Sequence, residues 1–406
     1  ELQDQQNRGI IANQRKRMVL SVVLCVIILA ALAFFSWRMN EAYVNVMDAC
    51  NRVNDLADTV QTSLDTLDQA QLDSMMQDLP EITAQLKKVD VDALNKVLTE
   101  LPEVDGMLGT GSYTDIVQAI QDVMGERPVD FHGNINCTND DGQRVLSTPE
   151  YLAYLKIAEG CSNCCAFCVI PQLRGRYRSR TMESILLEAK ALSENGVQEL
   201  IVIAQDITRY GTDLYGARKL PELLRQLCRL DFHWIRLHYL YPDDLTDELI
   251  DVIATEPKIL HYLDIPLQHC NDRILQAMCR RGTKAEITAL LDRIRARMPD
   301  VVFRTSLITG LPGEGEAEFE ELCAFLRQQK LVRAGVFQYS PEEGTPAAAM
   351  PDQVDPEVAA RRLELLVDLQ SDVMDGYNES RLGETVEVLC EGFDDEMGCF
   401  VGRTYA

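Results

Sequence analysis

Residues 154–168 read Tyr154-Leu-Lys-Ile-Ala-Glu-Gly-Cys161-Ser-Asn-Cys164-Cys165-Ala-Phe167-Cys168, a short apolar run that ends at a glycine and opens into four closely spaced cysteines. The run reads as a strand and the cysteines as the loop that leaves it. Downstream, apolar runs of strand length alternate with helical patterns, the signature of parallel βα units. Strands are expected over 155–159, 199–204, 234–239, 262–266, 301–308 and 335–339. Helices are expected over 182–195, 220–230, 246–255, 284–298 and 316–329, with a long helix over 356–381. Six such units make an α/β fold, an open (βα)6 barrel whose first strand-to-helix loop carries the cysteines.

The chain has thirteen cysteines, scattered except for the four between 161 and 168. That distribution reads as metal ligation in a reducing compartment, not as a disulfide framework. The spacing Cys161-x3-Cys165-x2-Cys168 suits three thiolates wrapped around one corner of a [4Fe–4S] cluster. Three protein ligands leave one iron open to chelate the amino and carboxylate groups of S-adenosylmethionine. An electron from the cluster then cleaves the sulfonium, and the resulting 5′-deoxyadenosyl radical abstracts a hydrogen atom. The rival reading is a zinc site from Cys161-x2-Cys164 and Cys165-x2-Cys168. Adjacent Cys164 and Cys165 would then share one ion within one tight loop, so Cys164 is read as a bystander.

With 39 basic and 64 acidic residues, the net charge is −25. A chain that grips phosphate backbones over a wide surface relies on clustered Lys and Arg, so that class is disfavoured. Residues 18–37 form an apolar run interrupted only by serines, long enough to span a bilayer. Arg8, Arg15, Lys16 and Arg17 before it would hold the N-terminus in the cytoplasm. Residues 40–98 have helical spacing and read as a solvated stalk. From about 99 the texture changes to a strand, a turn and a helix over 113–124, and 128–150 reads as a linker rich in Asn, Asp and Gly. The barrel with its closing helix occupies 151–382, and 383–406 begins a small β unit. A membrane anchor would export a cluster that needs a reducing compartment. Residues 1–98 are therefore expected to come from an unrelated membrane protein joined to a truncated enzyme.

The stretch 154–161, continuing through Ile170-Pro-Gln-Leu-Arg-Gly175, resembles the cluster loop of the methylthiotransferase family of radical S-adenosylmethionine enzymes, in its RimO-type, protein-modifying branch. Further similar stretches are Ala204-Gln-Asp-Ile-Thr-Arg-Tyr-Gly211, Tyr262-Leu-Asp-Ile-Pro-Leu-Gln-His269 and Arg280-Arg-Gly282. Arg304-Thr-Ser-Leu-Ile-Thr-Gly-Leu-Pro-Gly-Glu314 and Tyr339-Ser-Pro-Glu-Glu-Gly-Thr345 complete the set, which covers residues 100–406.

The resemblance implies that Cys161, Cys165 and Cys168 hold the catalytic cluster. It also implies that Gln205, Asp206, Gln268 and Arg304 face S-adenosylmethionine and that Phe167 lies near its adenine. Gln205 and Gln268 read equally as barrel lining, and Arg304 equally as the partner of a buried carboxylate. Gly310, Pro312 and Gly313 read as a tight turn, and His238 and His269 as structural groups. No catalytic side chain is assigned. The implied reaction replaces a β-carbon hydrogen of an aspartate in ribosomal protein S-twelve with a methylthio group.

An electron donor of the flavodoxin or ferredoxin type is implied as partner. The related enzymes that modify an adenosine in transfer RNA would carry a basic C-terminal domain. Here the TRAM-like stretch 383–406 carries Glu384, Glu387, Glu391, Asp394, Asp395 and Glu396 against Arg403, so transfer RNA is not the expected substrate. The family's second [4Fe–4S] cluster needs three more cysteines. Cys25, Cys50 and Cys137 do not stand in the family's surroundings, so a radical enzyme without methylthio transfer is the alternative.

Overall fold

The computed structural model describes residues 104–136, apart from 126, 128 and 132, and residues 145–406. The apolar run at 18–37 and the stalk at 40–98 lie outside the described residues. Among those described, no helix is long and apolar enough to cross a membrane. The chain divides into two compact units, one up to Asn139 and one from Asp140.

In the first unit, β1 (Gly106–Leu108) and β2 (Val129–Phe131) form a parallel pair joined through α1 (Ile116–Met124). β2 lies within the stretch read as linker. Three residues among Asp, Asn and Gly carry too little apolar period to announce a strand, and pairing with β1 supplies the backbone hydrogen bonds instead.

The second unit begins with β3 (Leu152–Lys156). The cysteine loop that follows is bracketed by β4 (Ala158–Glu159) and β5 (Arg178–Ser179), with α2 (Ile170–Arg174) between them. Then come α3 (Met182–Glu194), β6 (Glu199–Ile203), α4 (Leu220–Leu227), β7 (Trp234–Leu237), α5 (Asp247–Thr255) and β8 (Ile259–Asp264). Next are α6 (Asp272–Ala277), α7 (Lys284–Arg297), β9 (Val302–Thr309), α8 (Glu316–Gln329) and β10 (Arg333–Gln338). α9 (Pro356–Ser380) and a hairpin of β11 (Leu389–Asp394) and β12 (Cys399–Arg403) follow.

Six strands pair in parallel in the order β10-β9-β8-β7-β6-β3, as consecutive right-handed βα units require. Side chains alternate across each strand. Leu155, Leu200, Val202, Leu237, Phe303 and Leu307 point outward into one core shared with Ile185, Leu224, Ile253, Leu291 and Leu322 of the helices. The opposite set lines the inner wall and carries Lys156, Arg236, Asp264, Arg304 and Ser306 among apolar residues such as Ile201 and Ile308. Threonines set the helix starts. Thr181, Thr246 and Thr283 accept from the N–H groups of Ser184, Leu249 and Glu286 at the first turns of α3, α5 and α7.

The expected first strand is displaced. Register with β6 runs from Leu152↔Glu199 to Lys156↔Ile203, so β3 starts three residues before the position read from its apolar run. The tail of that run leaves the sheet. Ala158 and Glu159 pair antiparallel with Ser179 and Arg178, and this ribbon ties the two ends of the cysteine loop together.

Candidate active site at the strand ends

The loop closes at a glycine neck. Gly160 has φ +78°, and a Cβ there would lie 2.2 Å from the Arg176 carbonyl oxygen, so no other residue fits. Just inside the neck, Cys161 N–H donates to the Gly175 carbonyl at 3.1 Å, and Tyr177 N–H donates to Ser162 Oγ at 3.2 Å.

Side chains from several strand ends then fix the loop. Asn163 Nδ2 donates to Asp206 Oδ2 at 2.8 Å, and Asn163 Oδ1 accepts from Arg281 Nη2 at 3.3 Å. Cys165 Sγ lies 3.8 Å from Tyr241 Oη and 3.7 Å from Arg280 Nη1. Ala166 N–H donates to the Met278 carbonyl, and the Ala166 carbonyl accepts from Ala347 N–H. The loop after β3 is thereby held by the segments after β6, β7, β8 and β10. All lie at the C-terminal end of the sheet, where barrels of this kind build their sites.

Cys161, Cys165 and Cys168 are partly buried, whereas Cys164 is exposed and left-handed at φ +52°. Burial pushes the Cys161 thiol up to about 11, and the charges of Asp206, Cys165 and Cys168 push the same way. Burial also raises Cys168. Three neighbouring thiolates are costly here without a cation among them. The donor set, soft sulfurs on one short loop, suits iron–sulfur ligation. Among the described residues no three His, Cys, Asp or Glu side chains are gathered as ligands of one ion. A polynuclear cluster instead takes each thiolate on a different iron.

Beside the loop lies a cavity of about 300 Å³ lined by Phe167, Gln268, Ser306, Ile308, Phe337 and Tyr339, among others. Phe167 and Gln268, singled out from sequence, are brought together there. Gln268 is left-handed at φ +72°, and its Oε1 is buried without a hydrogen-bond partner, as is Tyr339 Oη. A buried acceptor with no donor is costly. Gln205 lies across the loop at the end of β6. Its Nε2 donates to Glu159 Oε1 at 2.9 Å, and its Oε1 is buried and unpartnered.

Asp206 is fully buried, and its carboxylate accepts from Thr208 N–H, Thr208 Oγ1 and Asn163 Nδ2. Burial raises its pKa against those hydrogen bonds. Its Oδ2 holds the cysteine loop through Asn163, and its Oδ1 fixes the turn at Thr208. Arg304 Nη1 donates to the buried Asp264 at 2.8 Å, and His238 Nδ1 stands 3.8 Å from the same carboxylate. His269 and Glu314 are buried 3.4 Å apart, and Glu314 also receives Thr309, Gly310 and Arg362. Gly310 (φ +79°) packs onto Ala359 of α9, as a tight turn demands.

A larger cavity of about 420 Å³, between Pro242, Asp243 and α7, is lined by Arg281 and Gly282 of a quoted motif but by none of the candidate site residues. Sequence reasoning did not assign Asn163, Tyr241 or Arg280 to the site. Arg280 stood in a quoted motif, but its contact with a cysteine 115 positions away has no local signal.

Residues 155–326 match the radical SAM superfamily model. Ribosomal protein uS12 methylthiotransferase RimO of Thermoanaerobacter sp. (strain X514) is 47% identical over 312 residues, covering 76% of this chain and 71% of that protein. The protein of the same description from Lachnoclostridium phytofermentans is 49% identical over 311 residues, again 76% of this chain and 71% of its own length. That from Pelotomaculum thermopropionicum is 42% identical over 370 residues, 90% of this chain and 82% of its own, a match that reaches into residues 1–98. With this identity across the barrel, its cysteine loop and most of each relative's length, the chain belongs to the RimO-type methylthiotransferase family of radical S-adenosylmethionine enzymes.

Proposed function

We propose that this chain is a methylthiotransferase that replaces a β-carbon hydrogen of an aspartate in ribosomal protein S-twelve. The observation that carries the reading is the junction of loop and cavity. Phe167 lies between the second and third cluster cysteines and also lines the 300 Å³ cavity that holds the orphan Gln268 Oε1. Ligand loop and cofactor pocket are thus one structure.

In this reading Cys161, Cys165 and Cys168 hold a [4Fe–4S] cluster, and S-adenosylmethionine occupies the cavity. Together, when bound, they supply a carbon radical able to remove a hydrogen that no side-chain base could take. The chain's own residues orient and shield. Phe167, Ile308 and Phe337 present apolar surface to a flat base and exclude water. Gln268 Oε1 and Gln205 Oε1 offer acceptors to N–H donors of the ligand. Asp206 acts through Asn163 on the position of the cysteines, and Asp264 keeps Arg304 extended along the inner wall.

The electron comes from a flavodoxin- or ferredoxin-type donor in a reducing cytoplasm. The second cluster expected for the family is assigned to none of the described cysteines. The acidic surface of the chain favours a basic ribosomal protein over transfer RNA.

Anaerobic reconstitution with iron and sulfide, then incubation with S-adenosylmethionine, a low-potential donor and ribosomal protein S-twelve, tests this. The expected result is deoxyadenosine release and a mass gain of one methylthio group on an aspartate. Deoxyadenosine without that gain would make this a radical enzyme lacking methylthio transfer. Bound zinc in place of iron would remove the radical reading altogether.

A further inference from the structure

Arg280 is only 7% exposed, and among the described residues no carboxylate stands within ion-pair distance of it. The nearby acids are taken by other cations, Asp243 by Arg281 at 2.9 Å and Asp244 by Arg209 and Arg218. A buried guanidinium without a counter-charge is expensive. Its contacts are a carbonyl, a ring face and a sulfur. Nη2 donates to the Pro266 carbonyl, the guanidinium carbon stacks 4.2 Å over the Tyr241 ring, and Nη1 points to Cys165 Sγ at 3.7 Å. Tyr241 is itself 5% exposed and brings its hydroxyl to the same sulfur at 3.8 Å. Cys161 and Cys168 have no side-chain donor at that range among the described residues.

We propose that Arg280 and Tyr241 are positioning residues that set the reduction potential of the cluster through the Cys165 sulfur. The missing counter-charge of Arg280 is the anionic thiolate-bound cluster. This rests on the reading of Cys161, Cys165 and Cys168 as cluster ligands.

Charge and hydrogen bonds at the ligand sulfurs are the levers by which a protein tunes an iron–sulfur potential. The step concerned is a single-electron one: an external one-electron donor is oxidised, the [4Fe–4S]²⁺ core is reduced to [4Fe–4S]¹⁺, and no bond forms or breaks. Reduction adds negative charge, so a fixed positive charge and an O–H donor at the sulfur stabilise the reduced form and raise the potential. Tyr241 also supplies the aromatic face that holds the guanidinium in place, a geometry that Lys does not reproduce.

The test is a redox titration of reconstituted wild type, Arg280→Met, Arg280→Lys and Tyr241→Phe, followed by the paramagnetic signal of the reduced cluster. Iron and sulfide content and circular dichroism are measured in parallel. For Arg280→Met the ratio of reduced to oxidised cluster at a fixed donor poise should fall about tenfold, a shift of ~59 mV to more negative potential for a one-electron couple. Tyr241→Phe should lower that ratio about threefold, since it removes one neutral donor. Arg280→Lys should fall between wild type and Arg280→Met.

Full cluster content with an unmoved potential in Arg280→Met overturns the proposal. If Arg280→Met does not load, wild-type potentials in both Arg280→Lys and Tyr241→Phe overturn it instead. Failure of the wild type to assemble any four-iron cluster overturns both this proposal and the ligand reading. A wild type that assembles the cluster while the variants keep its potential sinks the proposal alone.

Discussion

The two ends of the barrel solve opposite problems. At the N-terminal end of β6 and β7 buried charges are matched. Glu199, fully buried at the start of β6, receives Arg236 at 2.6 Å and Arg403 at 2.9 Å. Arg236 also donates to the Tyr405 carbonyl and stacks over Tyr262, and Arg403 reaches Glu391. These contacts bind the segment after α9 to the sheet. At the C-terminal end the chain carries left-handed, non-glycine residues at Cys164, Tyr239, Gln268 and Cys279. Buried acceptors stand there without donors at Gln205 and Gln268. Around the loop, strain and unpartnered acceptors stand where a ligand can repay them, while the Glu199 network at the opposite end holds the fold.

Substitutions can break this contrast, and the largest effect belongs to the ligand end. Cys161→Ala should abolish cluster assembly and all deoxyadenosine release while the circular dichroism spectrum stays that of the wild type. Iron analysis after reconstitution reads it directly. A variant that keeps full iron content would remove Cys161 from the ligand set.

The stability end comes next. Glu199→Ala leaves Arg236 buried without its partner, at a cost of about 3–5 kcal/mol. Denaturant unfolding should show that loss, and activity per folded molecule should be preserved. An unchanged midpoint would mean that the network contributes nothing to the fold.

Gly160→Ala tests the neck of the loop. The added methyl meets the Arg176 carbonyl in a left-handed backbone, so ~1–3 kcal/mol should be lost, together with part of the iron content because the loop ends no longer meet. Retained iron with lowered stability would separate the neck from the ligand geometry.

The smallest effect is expected at Cys164→Asn. Asn tolerates the left-handed region better than Cys, so a gain of a few tenths of a kcal/mol with unchanged iron is expected. Lost iron would promote Cys164 from bystander to ligand.

Much of this molecule was legible from pattern. Alternating apolar runs and helical periods locate the strands of the sheet and its covering helices, because burial on one face imposes a period on local sequence. Helices α7 and α8 begin at Lys284 and Glu316, where the helical patterns were expected to start. Less was legible where an element owes its existence to a partner. β2 has no period of its own, and the register of β3 is decided by β6. Short helices such as α2 and α6 offer too few turns to show a pattern.

The candidate site divides in the same way. Cys161, Cys165 and Cys168 are proposed as ligands from spacing, because a cluster draws its ligands from one short loop and spacing along the chain is then the chemical signal. The resemblance placed Asp206 toward S-adenosylmethionine, and the fold adds a tertiary contact from its Oδ2 to Asn163 of the cysteine loop, while Oδ1 accepts from the neighbouring Thr208. Arg304 proved to be paired with Asp264, one of the two readings that sequence left open. Arg280 and Tyr241 could not be assigned, since their meeting with Cys165 depends on how three loops converge at one end of the sheet.

Sequence by itself determined the barrel units and the spacing of the cysteines, both of which are properties of neighbouring residues. Tertiary structure alone decided which cation and which hydroxyl stand against the sulfur and which acceptors are left open. Those choices join residues far apart in the chain, and only the packing of the sheet brings them within hydrogen-bond distance.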